Sequence, residues 1–407
     1  MKIKPFKALR PDPSDAAAVS SPPYDVLSSS EARELADGNP KSFLHVIKPE
    51  IDMPEGVDLY SDQVYAKAKE NFESFRSQGL LLAEEEESLY VYSQTMGDHT
   101  QYGLVCCCRA DEYESVIKRH EFTLKPKEDD RTRHVSELNA NAGPVFLTYR
   151  DSAEIDAIVA NAIGQDPLFD LAAPDGTFHK VWRITDCDGL VGAFANVPCA
   201  YVADGHHRSA SAVRVARERA AANPDHRGDE EYNWFQCVLF PSSQLGLMAY
   251  NRIVKDLNGM GSREFLERLS ENFDICEDAA AQPAAKGSAS LYIDGRWYGI
   301  AWPDLMNDDP VEGLDASILQ RHLLQPLLGI DDPRTSDRIG FVGGIRGTAA
   351  LEKAVDSGGY ALAISMFPVD IDDLMKVADA GKVMPPKSTW FEPKLRSGLL
   401  VHSLEQI

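Results

Sequence analysis

The sequence predicts a mixed α/β protein, an α+β chain built on a mixed sheet, and three observations carry that expectation. Amphipathic helical runs alternate with strand-like apolar runs along most of the chain. The stretch "AYVADGHHRSASAVRVARERA", Ala200 to Ala220, passes from strand to helix with no loop between. Near the C-terminus, "RIGFVGGIRGTAALEKAVDSGGYALAISMF" reads strand, glycine-rich turn, helix, strand, a βαβ unit.

Taken in order, the first fifty residues are rich in turns. Pro22 and Pro23 precede Tyr24 and Asp25, Ser28 to Ser30 cap a helix starting near Glu31, and "SFLHVI" is expected as a strand. A helix is predicted over Ser61–Gln78, because Val64, Ala68, Phe72 and Phe75 share a face and Gly79 terminates it. "SLYVYSQT" and "QYGLVCCCRA" form a hairpin across "MGDH". The polar window Lys118 to Asn141 leads into a buried strand, "GPVFLTYR", and "DSAEIDAIVANAIG" is helical. "APDGTFHKVWRI" is a turn and strand, and "FQCVLF" is a strand beyond the corner. From Gly246 the texture changes: "SREFLERLSENF" is a helix, "SLYIDGRWYGIAW" a hairpin through Asp294-Gly295, "LDASILQRHLLQPLLGI" helical until Pro326, and "DIDDLMKVADAGKV" a last helix. The expected division is an α/β core over 1–245 and a C-terminal α/β region over 246–407 packed on it.

Composition narrows the function. The 407 residues are 43% apolar and 26% charged, with no apolar run near the ~20 residues a membrane span requires. "MKIKPFKALRPDP" has no apolar run behind its basic residues, so no leader and a cytoplasmic location are expected. Seven cysteines show no CxxC pair, and structural zinc is not expected from their spacing. A net charge of −23 disfavours nucleic acid as a partner but is compatible with a small anion held by a few convergent donors.

The corner at Asp204 is the first candidate site. A helix opening at Gly205 offers backbone N–H groups and the positive end of its dipole, Arg208 adds a fork of donors and Ser209 a hydroxyl, together a phosphate cradle. His206 and His207 diverge by about 100° on a helix, so they do not chelate one metal together; one meets the phosphate or carries a proton while the other packs. The alternative makes Asp204 an ordinary N-cap. The second candidate is Arg119, His120 and Glu121 with Lys125, Lys127, Asp130, Arg131, His134, Asn139 and Asn141. If "DDRTRHV" is helical, Asp130 and His134 face each other at i, i+4 as a base, with arginines to clamp a phosphate; the same window is also what a solvated ion-pair face looks like. Gly343, Gly344 and Gly347 admit a phosphate or serve tight packing, and the stiff "MPPKST" lines a pocket with Lys387, Ser388 and Thr389 or straps the surface.

The successive stretches "PFKALRP", "PPYDVLSSSEARELADGNPKSFLHVIKPE", "RHEFT", "DDRTRHVSELNANAGPVFLTY", "YVADGHHRSASA" and "MPPKSTWFEPKLRSGL" resemble the landmarks of the prokaryotic family called domain of unknown function 1015. The D-G-H-H-R box is similar to that of the ParB/sulfiredoxin fold, and most of all to that of free serine kinases. The resemblance implies a ParB/sulfiredoxin-like nucleotide-binding core with additional α/β elements. It assigns phosphate contacts to Gly205, His206, His207 and Arg208, a metal- or nucleophile-orienting role to Asp204 with Mg²⁺ near it, and an early acidic base, Asp25 or Glu31, with Glu121 as rival. The implied function is a nucleotide-dependent phosphotransferase using ATP or ADP on a small hydroxylated or phosphorylated metabolite, serine or phosphoserine. The alternatives are a phosphoserine phosphatase, and a ParB-like nucleotide switch that does not bind DNA. A sulfiredoxin-type redox enzyme is excluded, since histidines stand where its cysteine would.

Overall fold

A two-residue turn at Gly97, with φ +59°, lets Leu89–Met96 fold back on His99–Arg109 as an antiparallel hairpin, and a mixed sheet grows on both sides of it. The computed structural model describes residues 1–406. The chain divides into two units, Met1–Leu245 with Pro393–Ile407, and Gly246–Glu392.

In the first unit, nine strands form the main sheet. Its order is Ile117–Lys118, Ala200–Asp204, Val145–Tyr149, Trp234–Pro241, His99–Arg109, Leu89–Met96, Phe178–Ile184 and Phe169–Ala172, with Ile3–Lys4 added beside His99–Arg109. Two pairings are parallel, Ala200–Asp204 with Ile117–Lys118 and Trp234–Pro241 with Val145–Tyr149, and the other pairings are antiparallel, so the sheet is mixed as expected. Alternate residues Leu104, Cys106 and Cys108 enter a core with Leu147, Val202, Cys237 and Leu239, covered by Ile155, Leu190, Phe194, Val213 and Ala216 from three helices. The sulfurs of Cys106, Cys108 and Cys237 lie within 4.8 Å of one another, a grouping the linear spacing does not show; they are three ligands where a structural zinc takes four.

A second core forms around Phe43, Leu44, Val46, Ile47, Ala68, Phe72 and Phe75. Here the expected strand "SFLHVI" is instead a helical turn, Leu44–Ile47. Leu44, Val46 and Ile47 are all buried, and a short run buried on every side has no alternation to separate helix from strand. A four-stranded sheet of Leu82–Ala83, Ala8–Arg10, Val401–Ser403 and Ala140–Asn141 draws the C-terminal segment into this unit. The second unit therefore ends at Glu392 rather than at 407. The return is fixed by Gln236 Nε2 donating to Leu400 O at 2.9 Å and by His402, bonded to Asn141 and Glu231 at 2.9 Å each.

The second unit carries a six-stranded sheet ordered Asp274–Glu277, Arg296–Ala301, Ser288–Ile293, Leu362–Met366, Tyr250–Val254 and Ile339–Gly343. Ile339–Gly343 and Leu362–Met366 both run antiparallel to Tyr250–Val254, so the expected βαβ unit is split by a strand between its two members. A Cβ on Gly343 would sit 2.7 Å from the Trp390 ring, and one on Gly344 2.8 Å from Ala249 O, so these glycines serve close packing. Among the described residues, no helix is long and apolar enough to cross a membrane.

Candidate functional site

The strand Ala200–Asp204 slips register against Val145–Tyr149 between Val202 and Asp204, which frees the chain to turn. Gly205, at φ +91° and ψ +33°, makes the turn, and the helix His206–Ala222 starts with no side-chain cap. Asp204 is therefore not the N-cap: its Oδ1 accepts from Gly205 N at 2.8 Å, and its Oδ2 lies 3.2 Å from Lys394 Nζ. Burial alone would raise this carboxyl, but Lys394 and Arg208 hold it well below the usual carboxylate range.

Arg208 folds back over the glycine. A Cβ on Gly205 would meet Arg208 Nε at 3.1 Å and Cζ at 3.2 Å, so the close approach that this glycine permits is made by the guanidinium. Nη1 donates to Pro144 O at 2.6 Å, and Nη2 stands 3.5 Å from Asp25 Oδ2 and 3.9 Å from Asp204 Oδ1. Nε is buried with no partner. Asp25 reaches this point on the short turn Tyr24–Val26, behind the two prolines.

His206 is buried, its ring edge-on to His120 at 4.6 Å between centroids and its Nδ1 4.0 Å from Glu121 Oε2. Burial pushes His120 down to about 4, and burial together with His120 takes His206 well below the usual histidine range. Both rings are neutral at pH 7, so His206 offers a hydrogen bond and not a charge. His207 Nε2 accepts from Leu124 N at 3.0 Å and tethers the segment that carries Glu121. Ser209 is buried and donates to His206 O at 3.0 Å, so its hydroxyl serves the helix and not a ligand.

Behind Arg208 lies a cavity of about 40 Å³, lined by Tyr24, Arg131, His134, Asn141, Gln236 and Ser397 among others. It has room for a few waters and is far below nucleotide size. "DDRTRHV" is helical, within Lys125–Leu138, but the Asp130–His134 pair does not form. Asp130 accepts from Tyr65 Oη at 2.7 Å and from Arg131 Nε at 2.8 Å, while His134 donates Nε2 to Val46 O at 3.0 Å. Burial and the nearby Arg131 push His134 down to about 3. Arg131 itself stacks 4.0 Å over the Tyr24 ring. Asn141 lines the cavity but accepts from Gln236 N and His402, a structural task. Arg119 pairs with Glu114 at 3.1 Å, and Asn139 is the left-handed C-cap of its helix, accepting from Arg219. Lys387 and Ser388 belong to the second unit, with Lys387 Nζ 5.5 Å from the Tyr250 ring and Ser388 Oγ donating to Pro385 O at 2.7 Å.

The model of a family described as a protein of unknown function, DUF1015, matches residues 3–317. The chain belongs to the DUF1015 family. No curated protein matches it. Among solved structures, this DUF1015 chain is similar to a free serine kinase in complex with AMP, at 14% identity over 73% of this chain and 91% of that one, with a TM-score of 0.37. It is also similar to a conserved hypothetical protein from Pyrococcus furiosus, at 14% identity over 72% and 95% with a TM-score of 0.35. A third is SbnI with C-terminal truncation from Staphylococcus aureus, at 11% identity over 74% and 89% with a TM-score of 0.37.

In this DUF1015 protein, Lys394, Tyr24, Gln236 and Ser397 also stand at the corner, though no motif in the sequence marks them as site residues. The sequence carries a signal for Lys394: "PKLRSG" places two cations within three residues in an acid-rich chain, close behind Lys387 and Ser388.

Proposed function

We propose that this DUF1015 protein is a nucleotide-dependent phosphotransferase. It moves a phosphoryl group between ATP or ADP and the hydroxyl of a small metabolite, with L-serine and phosphoserine the pair that the D-G-H-H-R resemblance implies. One observation carries the reading: a guanidinium whose buried Nε has no partner lies across the glycine that opens an uncapped helix. An N-terminal turn, Arg208 and Lys394 supply donors and positive charge where a nucleotide's terminal phosphates would dock.

The carboxylates divide by environment. Asp204, held ionised by Lys394 and Arg208, is a poor proton acceptor and acts by positioning those two cations. Asp25 has Arg208 on one side and is about one-third exposed, so it can meet a substrate hydroxyl. The hydroxyl oxygen attacks the terminal phosphorus, its proton passes to Asp25, and the bond from phosphorus to the bridging oxygen breaks, leaving the nucleotide one phosphate shorter. Neutral His206 contributes a hydrogen bond, and Glu121, 4.0 Å from it, is the second acid within reach.

The residues at the corner do not fit a resident Mg²⁺. The Asp204 carboxylate already faces Gly205 N, Lys394 and Arg208, and a protein-held divalent ion would meet two cations there. No step is routed through such an ion, and any Mg²⁺ would arrive on the phosphates of the nucleotide.

The test is to incubate the protein with ATP or ADP, Mg²⁺ and L-serine and follow phosphoserine. Arg208→Ala should lower turnover by about 100-fold or more, and Asp25→Asn comparably with little change in nucleotide affinity. Turnover indifferent to Arg208→Ala overturns the site. Phosphate release from phosphoserine without nucleotide would instead make water the acceptor, and slow nucleotide hydrolysis indifferent to any hydroxylated acceptor would make the protein a switch.

A further inference from the structure

A second cluster of buried polar groups lies in the first unit, on the segment that follows Lys394. Arg396 is buried, and its Nη2 donates to Ser20 O at 3.2 Å. Its backbone N–H donates to Tyr92 Oη at 3.4 Å, and Tyr92 Oη bonds His179 Nδ1 at 2.8 Å. Ser21 pairs with Ser397 through both backbone bonds, at 3.0 and 2.9 Å. Four buried side-chain atoms in this group have no hydrogen-bond partner: Arg396 Nε, Ser20 Oγ, Ser21 Oγ and His179 Nε2.

Arg396 Nε is a donor, and the hydroxyls of Ser20 and Ser21 donate as readily as they accept. Tyr92 Oη accepts the Arg396 N–H and shares a proton with His179 Nδ1; in the tautomer where the tyrosine donates, the imidazole proton lies on Nε2. Burial and the Arg396 charge push His179 down to about 3, so the ring is neutral. The guanidinium is also short of a counter-charge. Its ion-pair partner among the described residues is Asp175, 3.7 Å away with a side chain more than half exposed. Water satisfies hydroxyls, but it does not neutralise a buried cation.

The same segment leads to the phosphate corner. Lys394 holds Asp204, and the Cβ position of Gly143 lies 3.4 Å from Ser397 Oγ and 3.8 Å from Arg208 Cδ. We infer that Arg396, Ser20, Ser21 and His179 form a carboxylate-binding subsite that takes the acid group of the phosphoryl acceptor, restricting acceptors to small hydroxy or amino acids. The naming of the acceptor rests on the function proposed above; the binding of a carboxylate does not.

The experiment compares L-serine with ethanolamine, which is serine without its carboxylate, as acceptors for wild type, Arg396→Gln and Ser21→Ala, with ADP titrated separately. The expected result is a wild-type preference for serine in kcat/KM that falls about 30-fold or more in Arg396→Gln, through KM, while ADP keeps its wild-type Kd. Ser21→Ala removes an unpartnered hydroxyl, so it should fold with an unchanged thermal midpoint and still raise the KM for serine several-fold. Equal losses for both acceptors, or an unaltered serine KM in both variants, overturn the subsite. If wild type phosphorylates neither acceptor, the phosphotransferase reading is what has failed. The subsite is then read by the rise in thermal midpoint with L-serine: a rise in wild type that Arg396→Gln abolishes supports it, and no rise leaves water as the occupant and overturns it.

Discussion

Replacing Gly205 with alanine tests the geometry of the corner in one atom. The residue sits at φ +91°, a left-handed conformation that costs an L side chain about 1–2 kcal/mol. The added methyl would stand 3.1 and 3.2 Å from Nε and Cζ of Arg208, closer than ordinary contact. The guanidinium cannot swing aside without disturbing its 2.6 Å bond to Pro144 O, and a bond from a charged donor is worth roughly 1.5–3 kcal/mol. With partial relaxation, the total loss is about 3 kcal/mol. Gly38 supplies the control. It is exposed at φ +70°, and a Cβ there meets nothing within 4 Å, so Gly38→Ala carries the conformational cost alone.

The assay is urea and thermal unfolding of both variants beside wild type. At roughly 2–4 °C per kcal/mol for a unit of this size, Gly205→Ala should melt several degrees below Gly38→Ala. A double-mutant cycle with Arg208→Ala isolates the contact: once the guanidinium is gone, the methyl has space, and the cycle should return a coupling of about 1–2 kcal/mol. Nucleotide affinity should fall in Gly205→Ala and not in Gly38→Ala. Equal destabilisation of the two variants, with no coupling to Arg208, would refute the reading of this glycine as the seat of the guanidinium.

Three further outcomes are expected. His120, His134 and His179 are pushed down to about 4, 3 and 3 by burial, so the unfolded chain, with histidines near 6.5, binds more protons. Their contribution is present above about pH 6.5 and is lost as pH falls toward those values, at up to roughly 1.4 kcal/mol per pH unit for each ring; urea midpoints from pH 7.5 to 5 measure it, and His134→Gln should flatten the slope by that one ring's share. Lys394→Met removes one of the two cations that hold Asp204, and should raise the Kd for ADP about tenfold; an unchanged Kd detaches Lys394 from the site. Of the thiols, exposed Cys276 and half-buried Cys199 should react with an aromatic disulfide reagent in the folded protein, whereas Cys106, Cys107, Cys108, Cys187 and Cys237 should react only in urea.

Local pattern made much of this molecule legible. The helices, the hairpin over Gly97 and the strand-to-helix corner follow from spacing and turn residues that lie within one window of sequence. Pairings across the chain were hidden. Nothing in "DDRTRHV" shows that Tyr65, more than sixty residues earlier, takes Asp130, or that Val46 O takes His134, so an i, i+4 dyad legible on the helix is not made in space. The same limit hid Lys394 beside Asp204, 190 residues apart. It also hid the split of the βαβ unit, since an intervening strand from Tyr250–Val254 leaves no trace in the segment it separates. "SFLHVI" failed for a local reason, because complete burial erased the periodicity that distinguishes its alternatives.

A buried Nε without a partner separates Arg208 and Arg396 from the other arginines among the described residues. The chain has 64 acidic residues to 41 basic ones, and arginines at or near its surface find carboxylates easily: Arg109 with Asp111 at 2.5 Å, Arg133 with Asp62 at 2.6 Å, Arg263 with Glu267 at 2.8 Å. Such surface pairs contribute little. Arg208, with a side chain 10% exposed, and buried Arg396 are the reverse case, with carboxylates no nearer than 3.5 and 3.7 Å among their ion pairs and with a buried Nε unpartnered in both, whereas buried Arg252 spends its guanidinium on the carbonyls of Tyr250 and Lys387. A chain with an excess of acids had the means to neutralise them. That it leaves both short of a partner, one across the opening of a helix and the other beside Ser20 with its buried, unpartnered hydroxyl, is the arrangement expected if the missing negative charge arrives with a ligand: phosphate at Arg208 and carboxylate at Arg396.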